Sequence, residues 1–389
     1  MEKIKAYITI ILISFLFGIY SFEFYMTFGS GNVLNKKIKI YEKVQGNNYD
    51  TRTKFEIYKD LKKKDEQTVL GGFEHASLLT DKLYSLSGFS NAKTIVCNEN
   101  GYYMIYTSDR FGFNNPDSEW EEKEIEFLLL GDSFVQGFCV NRPNDIGSNL
   151  RNISKKSVLN LGYGGNGPLT EFATLREYLG QNVKNVIWIY YGNDLIDLKN
   201  ELNSEILKKY IKNKNFKQNL KQKVRDINFQ NKAAMEIEEK AIDEQTQDNK
   251  SLKYKILKFI RLHQTKRVIR NNFTYKKNQT IKNDEIYSKF KEILKLSKNL
   301  TEENGSRFFF VYLPGYTKYT LKESDASYQK IKKIVKELEI SFIDIDREVF
   351  SKENDPLVLF PFRQYGHYNE EGYRKVSEAI YNFILRNGN

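Results

Sequence analysis

Cysteine and histidine are scarce in this sequence. Only two cysteines and three histidines occur among 389 residues. The cysteines, Cys97 and Cys139, lack C-x-x-C spacing, and no Cys/His cluster is available to bind zinc. We therefore predict no metal site and no cofactor. The two cysteines either form one disulfide, if the domain lies outside the cytoplasm, or remain two buried free thiols.

Glycine and proline are absent from residues 199–290, and acidic residues are absent from residues 250–282. The first absence, in a highly charged segment too long for one crossover helix, predicts a helical insertion at about 199–290. The second gives residues 250–282 eleven basic residues, which equals the net charge of the whole chain, +11. Apolar residues at helical spacing (Leu252, Ile256, Phe259 and Ile260) make this a basic amphipathic segment.

Two interpretations of residues 250–282 remain open. The segment contacts an anionic membrane surface or polysaccharide, or it is a solvated face whose apolar stripe packs on the domain. Nucleic acid is not expected as a partner, because the predicted compartment is extracytoplasmic.

Long uncharged apolar runs are also rare, and the clearest one is at the N-terminus. No charged residue occurs from Ala6 to Phe22, and aromatic residues follow Glu23. This pattern predicts a membrane-spanning signal anchor over residues 1–26, with contact to the membrane through residues 4–26. The chain would then be a single-pass membrane protein with its remaining residues extracytoplasmic. A cleaved signal peptide is the competing interpretation.

Residues 27–124 are polar and mixed, and we expect an accessory region packed on the core. Residues 93–96 and 102–106 are typical of short strands around a turn at 98–101. His75 lies in a polar stretch, so an exposed side chain is the simpler interpretation than a ligand or base.

A buried strand, Phe127–Leu130, is followed by Gly131-Asp132-Ser133 and then by a helical pattern. Ser133 would therefore lie at the carboxyl end of a strand, where open α/β sheets bind their ligands. Taken alone, these residues also suit a turn or a helix N-cap, so Ser133 by itself is weak evidence of a functional site.

Three other loops follow or precede regular elements in the same way. They are the glycine-rich loop 162–167, the Gly192-Asn193-Asp194 segment after strand 186–191, and Gly366-His367 before the last helix. The glycines lack G-x-G-x-x-G spacing and a Walker lysine, so they do not indicate a phosphate loop. The alternation of strands and helices predicts an α/β fold with a parallel, doubly wound sheet.

The order of Ser, Gly, Asn and His in these loops resembles the SGNH (GDSL-type) hydrolase family. The resemblance covers residues 125–200 and 305–385, and places an SGNH-like domain at 125–389. It implies a flavodoxin-like parallel sheet with helices on both faces.

The resemblance also implies the roles of individual residues. Ser133 would be the nucleophile and His367 the general base. The oxyanion hole would comprise the Ser133 N–H, the Gly165 N–H and the Asn193 side chain. The family carries an aspartate three residues before the histidine, whereas this sequence has Gln364. We therefore expect a backbone carbonyl, the side-chain carbonyl of Gln364, or a carboxylate from elsewhere such as Asp355, to orient His367.

The implied function is a serine esterase or deacylase that forms an acyl-enzyme on an ester, such as an acylated small molecule or an O-acylated glycan. Two alternatives remain open. One is an O-acyltransferase that uses a sugar hydroxyl as acceptor. The other is a catalytically inactive, membrane-anchored carbohydrate-binding protein, for which the replacement of the aspartate by Gln364 is the best support.

Overall fold

A computed structural model gives the fold. It describes residues 2–28, 38–43, 46, 49–72, 83–250, 252–266, 268–269, 283–321 and 326–387. His75, part of the segment 250–282 and part of the accessory region lie outside the described residues.

The described residues form two compact units. The main unit comprises Asp50–Ile237 and Asp284–Asn389, and the anchor unit comprises Met1–Tyr49 and Glu238–Asn283. Residues 238–283, within the predicted insertion, group with the N-terminal residues, whereas residues 50–124 group with the sheet.

A five-stranded parallel sheet is the centre of the main unit. Its strands are β4 (Ile125–Leu130), β5 (Val158–Asn160), β6 (Val183–Tyr190), β7 (Arg307–Tyr312) and β8 (Ser341–Asp344). They lie in the order β5-β4-β6-β7-β8, and every neighbouring pair is parallel. This is the 2-1-3-4-5 order of flavodoxin-like folds, which confirms the predicted fold class.

Both faces of the sheet are covered by helices, as predicted. The strands have near-continuous apolar runs because a parallel sheet is buried on both sides. On one face, Phe127, Leu129 and Ile187 belong to a cluster that includes Ile146 and Ile380 from the helices Ile146–Ser154 and Glu370–Arg386. On the other face, Phe290 of the helix Asn283–Glu303 packs against the rings of Tyr190 and Phe310.

The remaining elements of the main unit follow the sequence pattern closely. A small sheet joins β1 (Thr68–Leu70), β2 (Lys93–Ile95) and β3 (Ile105–Thr107), with β2 and β3 antiparallel. The described part of the predicted insertion is mostly helical. The other described α-helices of this unit are Lys54–Lys62, Ser133–Gln136, Pro168–Tyr178, Asp194–Glu201, Glu205–Lys212, Thr317–Thr320, Ala326–Glu337 and Ile345–Glu348. The helix Val224–Lys250 begins in the main unit and ends in the anchor unit, to which Leu252–Ile260 belongs.

The anchor unit contains one helix, Glu2–Phe28, that is long and apolar enough to cross a membrane, judged by its length and composition. Within that unit, this helix contacts the helix Leu252–Ile260.

Candidate active site

Ser133 lies at the carboxyl end of β4, as the strand-loop-helix pattern predicted. Gly131 makes the turn, with φ at +155°, and a Cβ there would lie 2.7 Å from the carbonyl oxygen of Ile189. Asp132 caps the helix that follows, because its Oδ1 accepts the N–H of Phe134 at 2.9 Å. The serine is thereby held at the first position of a short helix, with its side chain partly exposed.

His367 is held by the residues that follow it in the chain. The Tyr368 hydroxyl is buried and donates to the carbonyl oxygen of Pro314 at 2.6 Å. Asn369 caps the last helix through the N–H of Gly372 and also donates to the carbonyl oxygen of Val358. A loop fixed in this way presents the imidazole in one position.

The structure brings Ser133 and His367 together. The Ser133 Oγ lies 2.9 Å from the Nε2 of His367, although 234 residues separate them in the sequence. The rings of Phe134 and Phe138 lie against the imidazole, with centroids 4.6 and 5.0 Å away. This is the nucleophile-to-base contact that acyl transfer through a serine requires.

The carboxylate that faces His367 comes from Glu99, a residue that sequence reasoning missed. Its Oε1 lies 3.2 Å from Nδ1 of the imidazole, and its Oε2 accepts the backbone N–H of His367 at 2.6 Å. Glu99 lies in the turn between β2 and β3, in the region expected to be only accessory. Gly366 permits the approach, since a Cβ at that position would lie 2.6 Å from Oε2 of Glu99.

Gln364 and Asp355 do not contact the imidazole, which corrects the expectation that one of them orients it. The side-chain amide of Gln364 donates to the carbonyl oxygen of Arg363. The Asp355 carboxylate accepts from the guanidinium of Arg363 at 2.8 Å and from the N–H of Leu357. Both side chains are therefore engaged by neighbouring residues of their own loop.

A disulfide joins Cys97 to Cys139, which decides between the two interpretations left open by the sequence. Cys97 precedes Glu99 by two residues, and Cys139 follows Ser133 by six. Asn100 adds a hydrogen bond to the carbonyl oxygen of Cys139 at 2.9 Å. The turn that carries Glu99 is thus fastened to the segment just after the helix that begins with Ser133.

A group of potential metal ligands occurs at the same place. One ligand atom each of Glu99, Cys139 and His367 lies within 4.8 Å of the others. Cys139, however, is bonded to Cys97 and has no thiolate to offer. The imidazole nitrogens already face Ser133 and Glu99. These residues therefore do not suit a metal ion.

The predicted oxyanion-hole residues are placed as follows. Within the described part of the chain, neither the backbone N–H of Ser133 nor that of Gly165 donates to another protein group. Gly165 adopts φ of +83° in an exposed loop, and an added Cβ there would meet no atom within 4 Å. The neighbouring Gly164 N–H donates to Oε1 of Gln136, which fixes the loop against the nucleophile's helix.

The Asn193 side chain is held by Asp197, which accepts from its Nδ2 at 2.8 Å. An amide nitrogen has two hydrogens, so this bond orients the group and leaves one hydrogen for another acceptor. Asn193 lies at the N-cap position of the helix Asp194–Glu201, but its side chain makes no capping bond there.

Several carboxyl groups are buried beneath these loops. Burial raises the pKa of Asp132, against the hydrogen bond from Phe134 that lowers it. Burial raises the pKa values of Glu171 and Asp194 well above the usual range, and the neighbouring acids add to both shifts. These groups are thereby biased toward their neutral forms, which limits the negative charge close to Ser133 and Asn193.

Among known proteins, the chain is similar to solved structures. No protein-family model matches it, and no curated protein matches it. A structure of a protein assigned to the lipolytic G-D-S-L family from Desulfitobacterium hafniense DCB-2 is 15% identical, with 67% of this chain and 99% of that chain covered and a TM-score of 0.36. A structure of the acetyl xylan esterase AlAXEase is 11% identical, with 67% and 100% covered and a TM-score of 0.38. The protein YxiM from Bacillus subtilis is 13% identical, with 68% and 57% covered and a TM-score of 0.38.

These identities and TM-scores are low, so the description of the fold rests on the chain itself. The strand order and the placement of Ser133 and His367 agree with the SGNH hydrolase fold that the motifs predicted. The activity is a separate question, which the geometry of the site addresses.

Proposed function

We propose that this protein is a serine esterase or deacylase that works through an acyl-enzyme on Ser133. The observation that carries the proposal is the chain of contacts from Ser133 Oγ to His367 Nε2, at 2.9 Å, and from His367 Nδ1 to Glu99, at 3.2 Å. Nucleophile, base and a carboxylate that orients the base are the parts that activate a serine hydroxyl.

In the first half of the reaction, His367 Nε2 accepts the proton of Ser133 as Oγ bonds to the ester carbonyl carbon. The carbonyl oxygen becomes an oxyanion, and the donors available for it are the N–H groups of Ser133 and Gly165 and the free hydrogen of the Asn193 amide. The tetrahedral intermediate then expels the alcohol, which takes the proton from His367. The acyl group remains on Ser133.

In the second half, His367 removes a proton from water as the water oxygen attacks the acyl carbon. The C–O bond to Ser133 breaks, and the serine recovers its proton from His367. Glu99 acts through the imidazole rather than on the substrate. Its carboxylate favours the tautomer with the proton on Nδ1 and stabilises the imidazolium formed in each half.

An acylated glycan is the substrate class we propose. Beside His367 in the sequence, the Tyr365 side chain is 67% exposed, and its ring meets that of Tyr316 edge-on at 5.9 Å. An exposed tyrosine ring beside a half-buried one offers an apolar face and polar edges, the combination that suits a sugar ring. If a sugar hydroxyl replaces water in the second half, the same residues perform O-acyl transfer.

The test is labelling of the full-length protein in detergent with a fluorophosphonate probe. We expect labelling of the wild type and a loss of at least 100-fold in labelling rate for Ser133→Ala and His367→Ala, in line with the usual contribution of a general base. Ser341→Ala, which alters an exposed serine on β8, is the matched control and should label like the wild type.

Absence of labelling in a folded wild-type protein would contradict the proposal and favour the non-catalytic binding protein. If labelling occurs, acylated oligosaccharides with and without an acceptor sugar then separate the esterase from the O-acyltransferase. Free acid as product identifies the first, and an acylated acceptor identifies the second.

A further inference from the structure

Glu23 is the one charged residue between Ala6 and Phe28 in the apolar N-terminal helix. Its side chain is fully buried, whereas most residues of the same helix are exposed. A carboxylate removed from water is costly unless donors replace the water. The donors that contact Glu23 therefore identify the segment that packs on this end of the helix.

The partners come from a segment about 240 residues further along the chain. The Glu23 carboxylate accepts the backbone N–H groups of Gln264, at 2.9 Å, and Thr265, at 2.7 Å. The hydroxyl of Thr265 donates to the same group at 2.8 Å. Charge-assisted bonds of this kind are stronger than neutral ones.

Aromatic packing joins the same two segments. The ring of Phe259 lies 5.4 Å from that of Tyr20, 6.2 Å from that of Phe24 and 6.1 Å from that of Phe28. The contacts extend over two turns of the N-terminal helix. A cleaved signal peptide would take all of these partners away from Phe259 and Thr265, so the contacts favour a helix that stays in the mature protein.

The position of Glu23 along the helix matches the edge of a bilayer. At about 1.5 Å per residue, the helix from Ile4 to Glu23 is about 29 Å long. The hydrocarbon core of a bilayer is about 30 Å thick. Glu23, and with it Gln264 and Thr265, would therefore lie where the hydrocarbon ends and the headgroups begin.

The docked segment has the composition of a surface-binding element. Residues 252–266 contain five basic residues and no acidic one. Ile256, Leu257 and Ile260 are 44%, 38% and 56% exposed, so the N-terminal helix on which the segment docks does not cover these aliphatic side chains. Exposed apolar side chains beside lysines and an arginine are typical of a helix in the headgroup layer of an anionic membrane.

We propose that the N-terminal helix is a retained anchor and that residues 252–266 dock on its end through Glu23 and Phe259, where they bind anionic lipid headgroups. This surface is independent of the proposed esterase activity. A membrane is favoured over an anionic polysaccharide because the segment is fastened to a membrane-spanning helix and exposes aliphatic side chains, which a charged polymer would not bury.

The experiment places a fluorophore on residue 257 of the full-length protein in vesicles. Cys97 and Cys139 are bonded to each other, so Leu257→Cys supplies the reactive thiol. Lipids with a spin label near the headgroup or deep in the acyl chain then report depth. We expect the shallow quencher to act at least twofold more strongly than the deep one. Ser14→Cys, in the middle of the N-terminal helix, is the matched control and should show the reverse.

Two comparisons test the parts of the proposal. Removal of phosphatidylglycerol from the vesicles should lower the shallow quenching at residue 257 at least twofold. Glu23→Lys should abolish it, whereas Glu23→Gln, which keeps an oxygen acceptor, should retain most of it. The label at residue 14 must stay deep in both variants, which shows that the helix is still inserted.

Three outcomes would overturn the proposal. The first is a label at residue 257 that neither quencher reaches. The second is an intact mass of the membrane-bound protein that lacks the N-terminal helix. The third is displacement of the label from the vesicles by an anionic polysaccharide at constant ionic strength, which would assign the surface to a polymer.

Discussion

The Oε2 of Glu99 accepts the backbone N–H of His367 at 2.6 Å, while Oε1 of the same carboxylate faces the imidazole Nδ1 at 3.2 Å. One side chain therefore fixes both the loop and the ring of the proposed base. The family resemblance assigns this work to a carboxylate three residues before the histidine, where this chain has Gln364. In this chain the carboxylate that faces the imidazole belongs to Glu99, which precedes His367 by 268 residues.

Replacement of Glu99 tests this relationship. Glu99→Gln keeps the size of the side chain but removes its charge, so the imidazolium loses its stabilising partner. We expect kcat for p-nitrophenyl acetate to fall about 100-fold or more, with little change in KM. Glu99→Asp should recover part of the loss, since it restores the charge. Gln364→Asp in the wild-type background should change kcat less than about threefold; a large gain would show that Glu99 does not orient His367.

Gly366 offers a way to displace Glu99 without altering it. A methyl group at residue 366 would lie 2.6 Å from Oε2, so the carboxylate must move. We expect Gly366→Ala to slow fluorophosphonate labelling by about tenfold or more, because small misplacements of catalytic groups are costly. In the Glu99→Gln background the same change should have a much smaller effect. Equal effects in both backgrounds would point to a general disturbance of the loop.

The Cys97–Cys139 disulfide should matter for activity as well as stability. It closes a loop with a sequence separation of 42, for which the chain-entropy estimate is about 4 kcal/mol of stability. Reduction would also loosen the turn that presents Glu99, so we expect kcat to fall about tenfold or more. A Cys97→Ser, Cys139→Ser double variant should match the reduced enzyme and show no response to reductant. Full activity in the reduced, folded protein would contradict this expectation.

We expect the side chain of Asn193 to stabilise the oxyanion in the transition state. Loss of one oxyanion-hole donor typically lowers kcat about 100- to 1000-fold. We therefore expect Asn193→Ala to lower kcat by a factor in that range, with KM nearly unchanged. Asn193→Asp removes the donor and adds a negative charge, and we expect it to be at least as slow. Steady-state kinetics with p-nitrophenyl acetate measure both. A rise in KM alone would instead assign Asn193 to substrate binding.

Glu171 predicts a pH dependence of stability. Its carboxyl is buried, and burial raises its pKa well above the usual range, although the nearby indole N–H of Trp188 lowers it in part. Because the folded pKa exceeds the unfolded one, the native state binds more protons, and the free energy of unfolding contributed by this group falls as the pH rises through that interval. Glu171→Gln should remove this dependence and stabilise the protein at pH 7.5 by about 1–3 kcal/mol.

Urea denaturation of the wild type and Glu171→Gln at pH 5.0 and 7.5 measures the effect. The stabilising effect of the variant should be larger at pH 7.5 than at pH 5.0. Comparison of the two proteins at each pH cancels the contributions of acids that do not interact with Glu171, such as Asp117, whose pKa is lowered by Arg110. An identical effect at both pH values would show that Glu171 does not titrate in this interval.

The sequence by itself determined the elements of the sheet and the loops that hold Ser133, Gly165, Asn193 and His367. Those features depend on local patterns. A run of apolar residues ended by glycine specifies a buried strand and its turn, and a well-placed asparagine specifies a helix cap. The pattern placed Ser133 at the carboxyl end of a parallel strand, where open sheets bind ligands, and the resemblance to the SGNH family implied that His367 would act on it.

Tertiary structure alone decided which carboxylate faces His367, whether Cys97 and Cys139 pair, and which groups donate hydrogen bonds to Glu23. Each of these contacts joins segments separated by 42 to about 270 residues, and no local spacing or periodicity specifies them. Glu99 in particular lies in a polar turn with no signal of its own. It reaches the site because the small β1-β2-β3 sheet and the disulfide place that turn beside the loop of His367, and such placement is a property of the packed chain rather than of any segment.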